Sequence, residues 1–409
     1  MTNRLYIQNV YQKEAEMTLL EVKEENGKIW ARFDQSVFFP ESGGQLSDRG
    51  TIGEFNVPQV DEEKDTKEVW HLLEDAKAQD LKVGNVYKGQ INWEVRFRHM
   101  QMHCGEHLIS GAFYKLLNAS NKGFHMGDDY VTIDIDLDPQ GKYKEMTPEM
   151  IKAAERLANE AIWSNQPVTT HFFDTAKEAM KLPCRKEIKF NENISVVLIG
   201  DADDPADCCA CCGTHPAFAG EVGIIKITHV EKYKGMTRFY VKCGEVAYDD
   251  YVDKQDILSV LGRKYSCDYK GLEAAIDGVN EKASETYRKY AELKKYIMAM
   301  EVGNLKKAMA EPTEKSILVL EYDLLQADDL QNMLKDFEGK IAKPLALVST
   351  KENVVVLASN GTPDCGKLVK ENASIYQGKG GGKPNLSRAI FTNKENLDLY
   401  LDLIEKHLR

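Results

Sequence analysis

The sequence has no apolar run near the ~20 residues that cross a bilayer. Its opening, MTNRLYIQNVYQKEAEM, lacks the apolar core of a signal peptide. The expectation is a soluble, cytoplasmic chain with no membrane partner. Positive charge is not in surplus either: 53 Lys and Arg against 65 Asp and Glu leave a net charge of −12. That argues against broad, non-specific nucleic-acid binding but is compatible with a local basic patch on an acidic body. There is no G-x-S-x-G nucleophile elbow and no visible Ser-His-Asp arrangement. A Walker A loop is absent, and no repeat recurs at a solenoid period. In a reducing compartment the nine Cys point to metal binding or catalysis rather than to disulfides.

What is present is a globular composition, 43% hydrophobic and 29% charged, over 409 residues. That length accommodates two to four domains at ~100–200 residues each. The pattern is that of a multidomain α+β protein. Residues 1–90 read as a small N-terminal β-barrel. There TLLEVKEENGKIWARFDQSVFF carries β-rich runs around a Glu-Asn-Gly turn, and Gly43-Gly44 and Gly50 punctuate the next stretch, FFPESGGQLSDRGTIGEF. Residues 91–248 read as an α+β core. In it WEVRFRHMQMHCGEHLISGAFYKLL and TPEMIKAAERLANEAIWSN are helical, the second opened by Thr147-Pro148. YVTIDIDLD, NISVVLIG and GIIKITHVEKYKGMTRFYVKCG are strands.

Residues 249–312 form a helical connector. Leu272, Ile276, Val279, Ala283, Tyr290, Leu293, Ile297 and Met300 follow alternating steps of four and three, with Thr286 filling the slot between Ala283 and Tyr290, a heptad seam. It is either one arm of a helical hairpin within a monomer or a helix for dimerisation or for spacing. Residues 313–409 read as a separate C-terminal α/β domain. SILVLEY and PLALVSTKENVVVLAS are its strands, ADDLQNMLKDFEGK and NLDLYLDLIEKHL its amphipathic helices, with QGKGGGKPNLSRA between them.

The chemistry-bearing residues lie in two places. His103 and His107 sit at i and i+4, one face of a helix, with Cβ atoms about 5–6 Å apart. Cys211 and His215 form a C-x3-H pair in DADDPADCCACCGTHPAFAGEVG. One thiolate with three imidazoles is a donor set suited to one borderline-soft Zn²⁺ per chain. Gly213 would let the loop turn back on the metal. Alternatives are a knuckle made only from Cys208, Cys209, Cys211 and Cys212, or buried thiols without metal. The lone His71, His99, His125, His171, His229 and His407 read as packed or solvated side chains. Cys104, Cys184, Cys243, Cys267 and Cys365 read as small hydrophobes. Asp201, Asp203 and Asp204 read as a solvated acidic loop.

FFPESGGQLSDRG, HMQMHCGEH and CCGTHPAFAGEVG occur in that order. They resemble the editing domain of alanyl-tRNA synthetases and the free-standing AlaX proteins. KGMTRFYVKCGEVAY resembles the segment closing that domain, and QGKGGGKPNLSRA the glycine-rich signature of the DHHA1 domain. Where the family has Cys-Gly-Gly-Thr-His, Cys212 replaces the first Gly, so either Cys211 or Cys212 can be the thiol ligand; the C-x3-H register favours Cys211.

The resemblance implies an aminoacyl-tRNA hydrolase acting in trans on tRNA(Ala) mischarged with serine, with glycine a second candidate. It implies that Gln45 lies over the pocket, touching a water or the substrate hydroxyl, or else tying down its own turn. The zinc would either activate water at an open position or organise the site with all four ligands. For the C-terminal domain that carries GKGGGKP the resemblance implies tRNA contact and dimerisation. Lys379, Gly380, Gly381, Gly382, Lys383 and Arg388 are candidates for tRNA phosphate contact, with charges unopposed by a neighbouring acid in the sequence. A plain connector is the alternative. A homodimer through the connector or the C-terminal domain is expected. Aminoacylation is not, because the barrel begins at the first residues. Two other readings are a non-catalytic tRNA-binding protein and a DHH-type phosphoesterase, which would need an Asp-His-His motif that this sequence lacks.

Overall fold

The computed structural model describes residues 2–138, 141–188, 192–337 and 339–409. It divides into two compact units, Met1–Leu261 and Gly262–Arg409. Among the described residues no helix is long and apolar enough to cross a membrane.

The first unit opens with a seven-stranded, wholly antiparallel sheet. Its order is Phe55–Val57, Gly50–Ile52, Val86–Ile91, Glu14–Glu25, Lys28–Phe33, Val69–Leu73, Val60–Glu62. The long strand Glu14–Glu25 serves both halves. Residues 14–18 pair with the strand Val86–Ile91, and residues 19–25 with Lys28–Phe33 across an irregularity at Leu19/Glu21. A bridge joins Asn56, on the edge strand Phe55–Val57, to Glu74, just past the penultimate strand Val69–Leu73, so the sheet is nearly closed. Met17, Leu19, Phe33, Val37, Phe38, Ile52, Val69 and Leu73 fill it. The Glu-Asn-Gly turn is where the sequence places it, with Asn26 and Gly27 both at positive φ, as a two-residue hairpin turn requires.

The helix Trp93–Leu117 leaves this barrel. Asn92 caps it by accepting from the backbone of Glu94 and Val95. Every residue from His99 to Phe113 is buried, so the helix is covered on all sides rather than along one stripe. Against it lie the helix Pro148–Trp163, a four-stranded sheet and a three-stranded sheet. The first sheet runs Ser120–Met126, Val131–Asp136, Met236–Cys243, Ile225–Tyr233; the second Val168–Phe173, Ile194–Ile199, Asp207–Ala210. Gly105 and Gly111 allow this packing: a Cβ would lie 2.3 Å from the Cys243 sulfur at the first and 2.1 Å from the Ala206 carbonyl oxygen at the second.

The second unit holds the 39-residue helix Leu272–Ala310 and a five-stranded sheet. The sheet order is Leu318–Tyr322, Leu345–Ser349, Val354–Ala358, Leu386–Ile390, Lys379–Lys383; the first pairing is parallel and the rest antiparallel. Alternate residues of Val354–Ala358 enter two cores, one with Leu305 and Leu330, the other with Val369 and Tyr400. Coverage on both faces explains why that strand is apolar throughout. Along the heptad seam, Ile297 packs on the first of these cores, whereas Val279, Tyr290, Leu293 and Met300 are exposed.

The composition of GKGGGKP reads as a loop, but residues Lys379–Lys383 are an edge strand paired with Leu386–Ile390. The glycines answer to space. A Cβ on Gly380 would sit 2.1 Å from the Arg388 carbonyl oxygen, and one on Gly382 2.4 Å from the Ser387 Cα.

The barrel carries one titratable group with a clear stability consequence. His71 is fully buried between Phe33 and Phe38. As a neutral ring its Nδ1–H donates to the Ala31 carbonyl (3.2 Å) and its Nε2 accepts from the Ser36 hydroxyl (2.8 Å). Burial pushes its pKa down from 6.5 to about 4. Between those values the unfolded state holds the extra proton, so stability is lost as pH falls through the window. The expected loss from this group is about 2–3 kcal/mol between pH 7 and about pH 4.5. Urea unfolding at both pH values checks it. A His71→Gln variant, weaker at neutral pH, should show a pH dependence shallower by that amount; an unchanged dependence rejects the assignment.

Candidate metal centre

Three segments of the first unit meet at His103. The helix Trp93–Leu117 supplies His103 and His107, the loop after the strand Asp207–Ala210 supplies Cys211 and His215, and a turn of the barrel supplies Gln45. One ligand atom from each of His103, His107, Cys211 and His215 lies within 4.8 Å of the others, and three of these residues are buried. The Cys211 sulfur is 3.3 Å from His103 Nε2 and 3.8 Å from His215 Nε2. A tetrahedral zinc with ~2.0–2.3 Å bonds has ligand–ligand edges of roughly 3.3–3.8 Å. The Cys212 sulfur lies instead against the Ser42 hydroxyl at 3.4 Å. Cys208 contacts Cys184. Among the described residues, no all-thiol cluster forms.

The imidazoles are oriented from behind. His103 Nδ1–H donates to Gln45 Oε1 at 2.8 Å, and the ring stacks on Phe124. His107 Nδ1–H donates to Asp207 Oδ2 at 2.7 Å. In both rings this leaves the Nε2 lone pair facing the cluster. Asp207 is in turn gripped by Arg185, whose Nε is 2.5 Å from Oδ1. Arg185 lies 3.6 Å from Glu106, which accepts from Ser110 and Asn121. His215 Nδ1 is buried with no partner among the described residues. If that nitrogen carries the ring proton, Nε2 is a free donor atom aimed at Cys211.

Burial opposes ionisation of the Cys211 thiol, but the three imidazoles, His103 foremost, outweigh it and hold its pKa well below the usual thiol value. Burial likewise opposes charge on His107, and Cys211 with Asp207 overcomes it, raising that pKa well above the usual value. For His215 burial prevails and the pKa falls to about 4. Burial works against the Asp207 carboxylate as well, and Arg185 and His107 keep it ionised.

Gln45 is fully buried. Its Oε1 also accepts from the Thr214 amide (3.0 Å) and its Nε2 donates to the Thr214 hydroxyl (2.8 Å). The turn that presents it is closed by paired backbone bonds between Ser42 and Gln45. Gly43 and Gly44 both have positive φ, and a Cβ on Gly44 would meet the Phe124 ring at 2.5 Å. Gly213 is needed for another reason than a turn. Its φ is ordinary, but a Cβ would lie 2.2 Å from His103 Cε1 and 2.7 Å from Gln45 Oε1.

Sequence reasoning misses Asp207, Arg185, Glu106 and Thr214. In the sequence Asp207 resembles its exposed neighbours Asp201, Asp203 and Asp204, and its one signal is adjacency to the Cys pair. In the second unit, Lys379, Gly380, Gly381, Gly382 and Lys383 are exposed on the edge strand. Arg388 pairs opposite Gly381, which puts its side chain on the face shared by Lys379 and Lys383. It has an acidic neighbour after all: Asp328 at 2.9 Å.

The DHHA1 domain model matches residues 314–409. The model of the threonyl and alanyl tRNA synthetase second additional domain matches residues 194–240, which contain Cys211 and His215. Over their full lengths, the chain is 28% identical to the alanyl-tRNA editing protein AlaX-L of Pyrococcus horikoshii. This chain is similar from end to end to a long-form AlaX protein. It is also 29% identical to an alanine--tRNA ligase of Methanobrevibacter smithii, over 98% of the chain and 46% of the ligase. The ligase of Pyrococcus abyssi is 27% identical over 95% of the chain and 42% of the ligase, so the chain spans less than half of either enzyme. The C-Ala domain of Aquifex aeolicus alanyl-tRNA synthetase overlays 24% of the chain and 95% of that domain, at 13% identity and a TM-score of 0.21, too loose a fit to bear on the fold.

Replacing Gly213 with Ala should displace His103 or Gln45 at a cost of about 1–3 kcal/mol. The expected result is a several-fold loss of Co²⁺ uptake, read from the visible absorbance of the thiolate complex, with unchanged far-ultraviolet circular dichroism. Full uptake by the variant would show that the loop has room to spare.

Proposed function

We propose that this chain removes serine, and secondarily glycine, wrongly esterified to tRNA(Ala), acting in trans at a zinc ion held by His103, His107, Cys211 and His215. The observation that carries the reading is the convergence of three imidazoles and a thiolate from two segments over a hundred residues apart, in a chain similar from end to end to an alanyl-tRNA editing protein. The donor set fits zinc, and His215 Nε2 faces the Cys211 sulfur at 3.8 Å. Held by all four, such an ion would fix the pocket around it; an oxygen could reach it only as a fifth ligand.

The chain's own groups do the rest. Asp207 and Gln45 set the tautomers of His107 and His103, and Arg185 keeps Asp207 charged. With its amide committed to His103 and Thr214, Gln45 acts as a positioning residue. Four full ligands favour an organising ion over one with an open position. A pocket built for alanine cannot exclude glycine by size, and serine adds one hydroxyl, so initial discrimination is modest and a second hydrolytic sieve is needed. A site that bonds the serine hydroxyl would reject alanine by leaving its own polar groups unpaired.

We further assign Lys379, Lys383 and Arg388 to tRNA phosphate, with the bare backbone at Gly381 between them. Among the described residues, Gly381 has nothing within 4 Å of where a Cβ would be. The exposed seam around Val279, Tyr290 and Leu293 is assigned to a second copy of the chain.

Two experiments test this. His103→Ala should lose zinc, measured by atomic absorption, and at least a hundredfold of seryl-tRNA(Ala) hydrolysis together, while the parent protein spares alanyl-tRNA(Ala). Hydrolysis that persists without metal excludes the zinc site, and a parent that cleaves neither ester leaves a tRNA-binding protein without catalysis. Replacing Lys379 and Lys383 with Glu should weaken tRNA binding and lower its salt slope by about one for each lysine. Turnover of a minimal seryl-adenosine should be spared. Equal loss on both substrates contradicts phosphate contact.

A further inference from the structure

Behind the metal centre lies a second pair of sulfurs that the proposed editing chemistry does not use. Cys184 and Cys208 have their Sγ atoms 3.4 Å apart. Cys208 is buried on the strand Asp207–Ala210, within a small core with Ile188, Ile194, Val196 and Leu198, and Cys184 packs against that core from a half-buried position. The two segments are already joined through the main chain, since the Arg185 amide donates to the Cys208 carbonyl at 2.9 Å. Thiols in contact on hydrogen-bonded segments are close to the geometry a disulfide needs.

The neighbours make the pair consequential. Cys184 directly precedes Arg185, and Cys208 directly follows Asp207. Arg185 and Asp207 form the clamp that holds His107 by its Nδ1. One covalent bond between the sulfurs would tie together the segments that carry both halves of the clamp.

We propose that Cys184 and Cys208 are a reversible oxidation site, a dithiol that closes to a disulfide on reaction with small-molecule disulfides and thereby disturbs the grip on His107. The effect on His107 rests on the metal-centre reading; bond formation does not. The roles of the two sulfurs differ. Cys184 is the accessible one. The hydrogen bond between the two sulfurs favours charge on Cys184 and disfavours it on Cys208. The Cys184 thiolate attacks one sulfur of a small disulfide, whose S–S bond breaks and whose departing thiolate takes up a proton. Cys208 then attacks Cys184 Sγ, releasing its own proton and expelling the second small thiol. Two protein thiols are oxidised and one small disulfide is reduced to two thiols. Closing the gap from 3.4 Å to the ~2.05 Å of an S–S bond must move one segment toward the other. Arg185 and Asp207 move with them.

The test uses the full-length, zinc-loaded protein exposed to oxidised glutathione and digested without reduction. Mass mapping should find the Cys184 and Cys208 peptides joined, with two hydrogens lost and full reversal by dithiothreitol. Zinc release, followed with a chromogenic chelator, should be at least several-fold faster from the parent than from Cys184→Ser. Cys184→Ala is the second control, in case the serine hydroxyl perturbs Cys208. Free, alkylatable Cys184 and Cys208 after exposure would overturn the pairing. So would Cys208 joined to Cys209, Cys211 or Cys212. A disulfide that forms while zinc release matches that of the Cys184 variants would overturn the coupling to His107. The linkage is read without any tRNA substrate, so its failure is distinct from failure of the editing function.

Discussion

The geometry of the site depends on a buried ion pair between Arg96 and Asp48, both fully excluded from solvent. Arg96 is one turn into the helix Trp93–Leu117, and Asp48 lies three residues beyond Gln45. The guanidinium also donates to the carbonyls of Val37 (2.7 Å) and Val10 (2.9 Å), and the carboxylate accepts from the Phe39 amide (2.7 Å). Three barrel segments are therefore tied to one helix start. A buried pair contributes little net stability relative to an apolar replacement, but removing one partner costs about 3–5 kcal/mol. What the pair fixes is direction. His103 is seven residues, two turns, after Arg96 and so on the same face, and it meets Gln45 at 2.8 Å because both ends of the connection are held.

The same logic separates what the sequence shows from what it hides. His103 with His107, and Cys211 with His215, are legible because each pair is local: the spacing alone puts the ligands together. Their convergence is a tertiary fact that the ordered resemblance to editing domains anticipates. Asp207 and Arg185 are illegible because each acts on a residue far away in the chain, and nothing local distinguishes Asp207 from the exposed carboxylates at 201, 203 and 204. The helix Trp93–Leu117 shows a weaker stripe than its length would lead one to expect, since it is covered all round.

Glycine is the residue most easily misread. At Gly43 and Gly44 the turn chemistry read from sequence holds, because the backbone is left-handed there. At Gly213 the reason is a missing Cβ beside His103. At Gly380 and Gly382 it is the backbone of the neighbouring strand, so a segment with the composition of a loop is an edge strand. Sequence composition cannot separate these causes: the first is a property of one residue's dihedral angles, the others of whatever packs against it.

Charge balance ties the ligands to the groups behind them. Cys211 as thiolate, Asp207 and Glu106 carry three negative charges in a buried cluster whose fixed positive member is Arg185. Arg185 alone does not balance them, although Lys186 also acts on Glu106 and Asp207, and buried negative charge without a partner is costly. The protein's response is visible at His107, where burial disfavours a proton and the surrounding anions attract one strongly enough to win. A divalent ion at the imidazole nitrogens would supply positive charge in place of that proton and release His107 to be a neutral ligand. Asp207 therefore does two things with one arrangement. It orients the His107 ring, and it adds negative charge that a cation at the imidazole nitrogens would offset.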